Sequence, residues 1–586
     1  SLTLTPVLRM SAGSLATAAT AESPTAHAPD ERRHLAARTL GDALLLGVVG
    51  DALLRAPHWG ANLTTWSLAI ILAMVTLVRR RRDGVPAEAR WILIPAVAIS
   101  IMFSWRDADS LVAYNTLALI GTVGLLAAAS ASEARRAVVG TRVRDLAQAV
   151  ITVGLETAFG MLPLVLTDVS FRQAAHGRGA SRAIAALRAA LVAIPLLLVF
   201  GGLFASADPV FARIVGDVFR IDADFVASHL VVGGIIAWFA GGLLRATVLS
   251  NRLDSWSLPF PDGALGFTEV ATALGSLVVL FAAFVAVQLR YFFGGSALVQ
   301  MTDGMSYADY ARRGFFELVT VSALVLPVLL SANALLRRDT PRVDRVFRGL
   351  AIALLALLAV IMYSAVARMQ LYQSVYGLTT DRLYATVFMG WLALVFVWFA
   401  ATVLRGREKP FAAGVVVSGW ATLLALNVAD PAGLVGRSNI ARGELGKELD
   451  VSYVASLGAD AAPALVQYLV RQPLTAPAGW APPESSASGS ATPLPNASAA
   501  PGSVVNAPPS TLARRDDFTA RCRAARRLLG EWSPAVPRDW RSWTIGRAAA
   551  RRSVAEHERA LRTLAGSESA NGRPVACAEA PREPVG

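Results

Sequence analysis

Ionisable side chains inside apolar runs are where this sequence could do chemistry, because a charge in hydrocarbon is expensive and is rarely kept without a role. Asp42 and Asp51 share one apolar stretch, and their nine-residue spacing puts them on opposite sides of a helix, about two and a half turns apart. His229, Glu269 and Glu317 each lie about one helical turn inside a later apolar stretch. Such residues could line a polar path or an ion-coupling site. The plainer outcome is an interface position, where they snorkel or pair with a neighbouring arginine. The densest local pattern is Ser306-Tyr307-Ala308-Asp309-Tyr310-Ala311-Arg312-Arg313-Gly314-Phe315-Phe316-Glu317. Arg313 and Glu317 are one turn apart and can pair, while Tyr307 and Tyr310 suit a membrane–water boundary. This segment is either an aromatic anchor with its arginines on lipid phosphates, or an anion-binding mouth formed with Arg290, Arg368 or Arg382, with Asp51 as a further polar candidate toward the same outer face.

No catalytic pattern stands beside these residues. A phosphate-binding Gly-rich loop ending in Lys-Ser/Thr, HExxH, GxSxG and paired CxxC are all missing. The six histidines are scattered, so a metal site is not expected, and no cofactor is implied. Gly201-Gly202 and Gly241-Gly242 read as helix-packing residues rather than phosphate binders.

The elements that must position these groups are apolar runs of helical length alternating with short arginine-rich loops. With 54% hydrophobic and 17% charged residues and a mean hydropathy of +0.49, the chain lies outside the range of soluble domains. Uninterrupted apolar runs of this length are helices, since barrel strands alternate. Eleven spans are expected, near 39–56, 62–78, 91–105, 110–130, 189–206, 225–247, 264–289, 314–336, 347–367, 382–404 and 410–427. The fold class is therefore an all-α polytopic transmembrane bundle over residues 36–427. The net charge of +13 belongs to loops between spans, which argues for membrane topology and against nucleic acid. Alternate loops hold 23 Lys and Arg in one set and nine in the other. That bias predicts a bacterial cytoplasmic (inner) membrane protein with a cytoplasmic N-terminus and an extracytoplasmic C-terminus. The segment Leu146–Thr167 is apolar enough to cross but has basic clusters on both flanks and Glu156 within. It is expected as a re-entrant or interfacial helix on the cytoplasmic side.

Outside the bundle, residues 1–35 read as a disordered tail. Residues 428–470 read as a small exterior helical segment, with Asp460 as the N-cap of its last helix. Residues 471–510 are a Pro/Ala/Ser-rich linker, 511–570 an exterior module of two helices with Trp532, Trp540 and Trp543 between them, and 571–586 a tail. Cys522 and Cys577, the chain's two cysteines, both fall on the side where disulfides persist, which makes them a disulfide candidate.

The segment at Ser306–Glu317 also resembles the signature of an uncharacterised bacterial multi-pass membrane family, a domain of unknown function (4173, 4153-like). The resemblance continues through Tyr372–Arg382, Ser438-Asn439-Ile440-Ala441-Arg442, Asp450-Val451-Ser452-Tyr453 and Leu457-Gly458-Ala459-Asp460-Ala461, and ends at Asp539-Trp540-Arg541-Ser542-Trp543. It covers roughly 189–470 and the tail helices. It implies a membrane bundle and carries no activity.

Three functions compete. An accessory or sensory membrane protein suits a tethered exterior module without a catalytic constellation. A transporter or channel for a small solute or ion would use Asp42, Asp51, Glu269 and Glu317. A membrane-embedded transferase would act on an anionic or lipid-linked substrate held by the outer arginines. The expected partners are the bilayer and an anionic lipid or solute at the outer face.

Overall fold

The computed structural model describes residues 29–81, 84–131, 141–169, 223–249, 264–293, 315–471 and 509–565, with isolated residues between 189 and 213. The described residues are helical and contain no strand beyond one isolated bridge, Leu265 with Leu336. The helices are α1 (Pro29–Leu54), α2 (Ala61–Arg79), α3 (Ala87–Met102), α4 (Asp109–Ser130), α5 (Val143–Phe159), α6 (Met161–Asp168), α7 (Ala223–Val248), α8 (Phe267–Phe293), α9 (Phe315–Leu335), α10 (Pro341–Tyr376), α11 (Thr380–Thr402) and α12 (Lys409–Ala429). Beyond them come α13 (Pro431–Glu444), α14 (Val451–Ser456), α15 (Ala462–Arg471), α16 (Pro509–Trp532), α17 (Ile545–Glu556) and α18 (Glu558–Leu564).

Among the described residues eight helices are long and apolar enough to cross a membrane: α2, α4 and α7 to α12. A ninth results if α5 and α6, bent by 52° at Gly160, count as one span. This is fewer than the eleven expected. α1 and α3 form where the apolar runs put them, but α1 carries Arg38, Asp42 and Asp51, and α3 has 16 residues, short of the ~20 that span a hydrocarbon core. The expected span at 189–206 lies mostly outside the described residues.

Two apolar cores divide the bundle. One joins α1 to α7 and includes Met74, Ile99, Phe103 and Leu244. The other joins α8 to α12 and includes Phe315, Leu354, Phe399 and Phe411. α12 bridges them, since Trp420 and Leu424 pack on the first core while Phe411 belongs to the second. Between α4 and α12, Asn115 and Asn427 exchange amide hydrogen bonds at 3.0 and 2.8 Å. Burying two amides is tolerated because each satisfies the other. α1 and α7 approach closely, as a Cβ at Gly47 would meet the Gly233 carbonyl at 2.5 Å, the small-residue packing that membrane helices favour. Gly241 and Gly242 pack the same way against Met161 and the Thr157 carbonyl.

The α5–α6 segment is tied to one end of the bundle along its length. Arg142 pairs with Glu408 before α12, and Arg245, near the C-terminus of α7, holds both Glu156 at 2.6 Å and Asp168 at 2.8 Å. Asp168 also pairs with Arg32 near the start of α1. All these partners lie at the end of the bundle opposite α13.

Residues on either side of 472–508 share a third core. Ile440, Val454, Leu465 and Leu469 pack with Ala525, Leu528, Val554 and Leu561. The segment 428–470 and the later helices are thus one C-terminal module rather than two units. Its second helical stretch breaks at His557 into α17 and α18, where the sequence pattern suggests one helix.

Candidate functional site

The module sits on the bundle through helix ends. The first N–H groups of a helix lack partners within it. At the start of α17 they find the loop before α4: Ile545 N–H donates to the Ser104 carbonyl at 2.9 Å and Gly546 N–H to that of Trp105 at 3.2 Å. The reverse contact occurs at the start of α2, where Ala61 N–H donates to the Trp543 carbonyl at 3.0 Å. Arg541 reaches the Ala52 carbonyl at 2.8 Å and Ser542 that of His58 at 3.2 Å.

Charge completes the junction. Arg106 donates to the Asn427 and Val428 carbonyls at the C-terminus of α12, at 2.8 and 3.2 Å, where a cation also meets the negative end of the helix dipole. It lies 3.6 Å from Asp430 and 3.9 Å from Asp460. Asp430 turns the chain from α12 into α13 with φ of +57°, a region that Asp tolerates better than most residues. Its carboxylate caps α13 by accepting from Gly433 N–H at 3.0 Å. Asp107 forms an ion pair with the Arg547 side chain at 2.6 Å, and its own N–H donates to Asp460 at 2.9 Å. Gly546 lets the Asp460 carboxylate approach, since a Cβ there would overlap it and force it to shift. Asp460 therefore does not cap α15 as expected; it turns back to the bundle. Burial pushes both Asp107 and Asp460 up to about 6, reinforced by repulsion from Asp460 in the first case and from Asp430 in the second, despite Arg547 and Arg106.

Beside this junction the module and bundle line a partly open chamber of about 1110 Å3. The bundle contributes His58, Asp107, Asp109, Thr380 and Tyr384, and the module Trp540, Arg527, Arg538, Arg547, Arg551 and Arg552. Arg527 pairs with Glu531 and Arg547 with Asp107. Among the described residues Arg538, Arg551 and Arg552 have no carboxylate partner, whereas Asp539 is taken by Arg541. Arg551 is held by the Val536 and Pro537 carbonyls, and burial together with Arg538 and Arg547 lowers its affinity for its proton. The chamber wall thus carries positive charge that nothing described neutralises, opposed by Asp109.

Of the residues singled out in the sequence, the structure brings Asp51 and His229 together and leaves the other described ones apart. Tyr307, Tyr310, Arg312 and Arg313 lie outside the described residues, as do the side chain of Arg290 and Cys577. Glu317 is exposed in the first turn of α9. Asp51 is buried between Arg55 at 2.7 Å and His229. Arg368 donates to Gln288, which Ser364 also approaches. Arg382 caps the α10 end through the Gly377 carbonyl at 2.6 Å and stacks on Tyr372 at 4.2 Å. Glu269 accepts from Gly266 N–H at the start of α8. Cys522 is buried under the Ala565 carbonyl.

The quoted motifs, by contrast, meet as a joint. Asn439 takes both backbone groups of Leu378, at 2.7 and 3.0 Å, Arg442 donates to the Gln373 carbonyl, and the Tyr453 hydroxyl accepts from Thr380 N–H. They fasten the α10–α11 turn to α13 and α14, and the following Leu457–Ala461 stretch delivers Asp460. Arg106, Asp107, Tyr384, Arg547 and Arg551 were not singled out by sequence reasoning. The available signal was charge in the two loops Ser104–Asp109 and Arg538–Arg547, which are adjacent only in space.

An all-helical bundle with eight or nine membrane-length helices and a helical module on one end defines an integral, multi-pass membrane protein. The family described as a domain of unknown function (DUF4153) matches residues 93–468, more than half of the chain. The chain belongs to that family. The match begins in α3, well before the point near 189 where the quoted motifs place it, and ends within α15. No curated protein and no solved structure matches the chain.

Proposed function

We propose that this is an accessory or sensory protein of the bacterial cytoplasmic membrane whose exterior module and bundle form a binding chamber for an anionic ligand. The observation that carries the reading is the set of chamber arginines, Arg538, Arg551 and Arg552, without carboxylate partners among the described residues. Guanidinium groups at reduced hydration favour planar oxyanions such as phosphate and carboxylate. The orientation rests on the 23-to-nine bias in loop Lys and Arg, which puts the chamber outside. A transport role has less support, since Asp42, Asp51, Glu269 and Glu317 are dispersed. The test uses the full chain in detergent. Inorganic phosphate should raise the thermal midpoint in a saturable way, chloride at matched ionic strength should not, and Arg551→Gln with Arg538→Gln should abolish the phosphate response. An equal response to both salts in the wild type would overturn the reading.

A further inference from the structure

A second space begins where the chamber ends. It is a groove of about 580 Å3 between α4, α9, α11 and α12, walled by Phe316, Phe388, Trp391, Leu423 and Leu426. The first turns of α11 separate the two volumes. Thr380 faces the chamber, while Asp381, Ala385 and Phe388, spaced four and three residues apart along one helix face, line the groove. Tyr384 lines both. Its ring packs edge-on against Tyr114 with centroids 5.2 Å apart. The residue is 7% exposed, and its buried hydroxyl has no hydrogen-bond partner. A buried hydroxyl without a partner is uncommon in folded proteins and calls for a polar group. The groove walls belong to helices of membrane length and are mainly apolar, whereas the chamber holds the charge.

We infer that the ligand of the chamber is an amphiphile, an anionic phospholipid-like molecule whose headgroup lies among Arg538, Arg551 and Arg552 and whose hydrocarbon lies in the groove, the two parts meeting at Tyr384. This rests on the anion-binding reading of the chamber and adds the class of ligand. A headgroup oxygen beside Tyr384 satisfies the orphan hydroxyl, the arginines neutralise the phosphate, and Phe388 and Trp391 receive apolar chain. Asp109 in the chamber and Asp381 at the groove are the opposing carboxylates. They disfavour a second negative charge near Tyr384 and leave the arginine side of the chamber as the phosphate position.

The test is photocrosslinking in nanodiscs of phosphatidylcholine doped with a diazirine-tailed probe, either phosphatidylglycerol or phosphatidylcholine. Peptide mapping should find the phosphatidylglycerol probe concentrated on 380–391 and 419–426, at several times the yield of the phosphatidylcholine probe. Gly419→Leu fills the groove: the nearest neighbour of a Cβ at 419 is Trp391 at 3.9 Å, so the helix tolerates the change. It should remove the groove label and leave the phosphate-induced thermal shift intact. Val417→Leu, on an exposed face of the same helix, should keep the label. Equal labelling by both probes, or undiminished labelling in Gly419→Leu, would reduce the groove to ordinary lipid contact and overturn the inference. Loss of the phosphate shift in the wild type would instead overturn the chamber reading beneath it.

Discussion

Acidification should dock the C-terminal module more firmly, and Asp460 is the residue on which this can be worked out. Its carboxyl, like that of Asp107, is pushed up to about 6 from 3.8, chiefly by burial. For an acid raised in the docked state the sign runs opposite to the usual surface carboxylate. Above about pH 6 the group is charged whether docked or undocked, and the full cost of burying the charge opposes docking. As pH falls from 6 toward 3.8 the docked form takes up its proton first, so docking gains until both forms are neutral. One carboxyl displaced this far is worth about 3 kcal/mol at most; because the two acids share one site, about 2 kcal/mol is expected from Asp460 alone, roughly a 30-fold change in the opening equilibrium. Amide exchange of Ile545 and Gly546 reads the event directly, since their N–H groups bond to Ser104 and Trp105 across the junction. After correction for intrinsic rates, wild-type protection at these amides should rise between pH 7.5 and pH 5. Asp460→Asn should show raised protection at pH 7.5 and a flatter profile. Protection that falls on acidification would mean that attraction to Arg106 and Arg547 outweighs burial, and would refute the reasoning.

Arg245→Ala should lower the thermal stability of the bundle by the equivalent of about 3–5 kcal/mol, because Glu156 and Asp168 would lose the cation they share; adding Glu156→Gln should recover part of the loss, and an unchanged midpoint in the single variant would count against the clamp. A disulfide between Cys522 and Cys577 should appear as linked peptides in mass spectra of non-reduced protein and contribute roughly 2–4 kcal/mol to the module; two alkylatable thiols in native membranes would remove it. If the module lies outside and α5–α6 does not cross, alkaline phosphatase fused after Asn427 should be active and after Arg172 inactive; the reverse pattern would mean that α5–α6 crosses.

The helices were legible in the sequence because each depends on its own residues. An apolar run of sufficient length forms its hydrogen bonds internally in lipid wherever its neighbours lie, so ten of the eleven expected spans coincide with described helices, and the bundle class follows. Gly241-Gly242 could be read as packing residues for the same local reason. The site could not be read this way. Charge in an apolar run drew attention to Asp51, Arg368 and Glu317, yet tertiary packing gave the first two neighbouring partners and left the third exposed. The chamber depends on which loop lies over which helix end. Asp107 meets Arg547, and Arg106 meets the carbonyls of α12, across more than three hundred residues of chain. Nothing in the spacing of either loop encodes that meeting. The sequence alone determined that the chain is a helical membrane bundle with a helical appendage. Only the tertiary structure decided that the appendage closes over the bundle, because burial of Asp107 and Asp460 and the sharing of helix-end hydrogen bonds are properties of the contact, not of either partner.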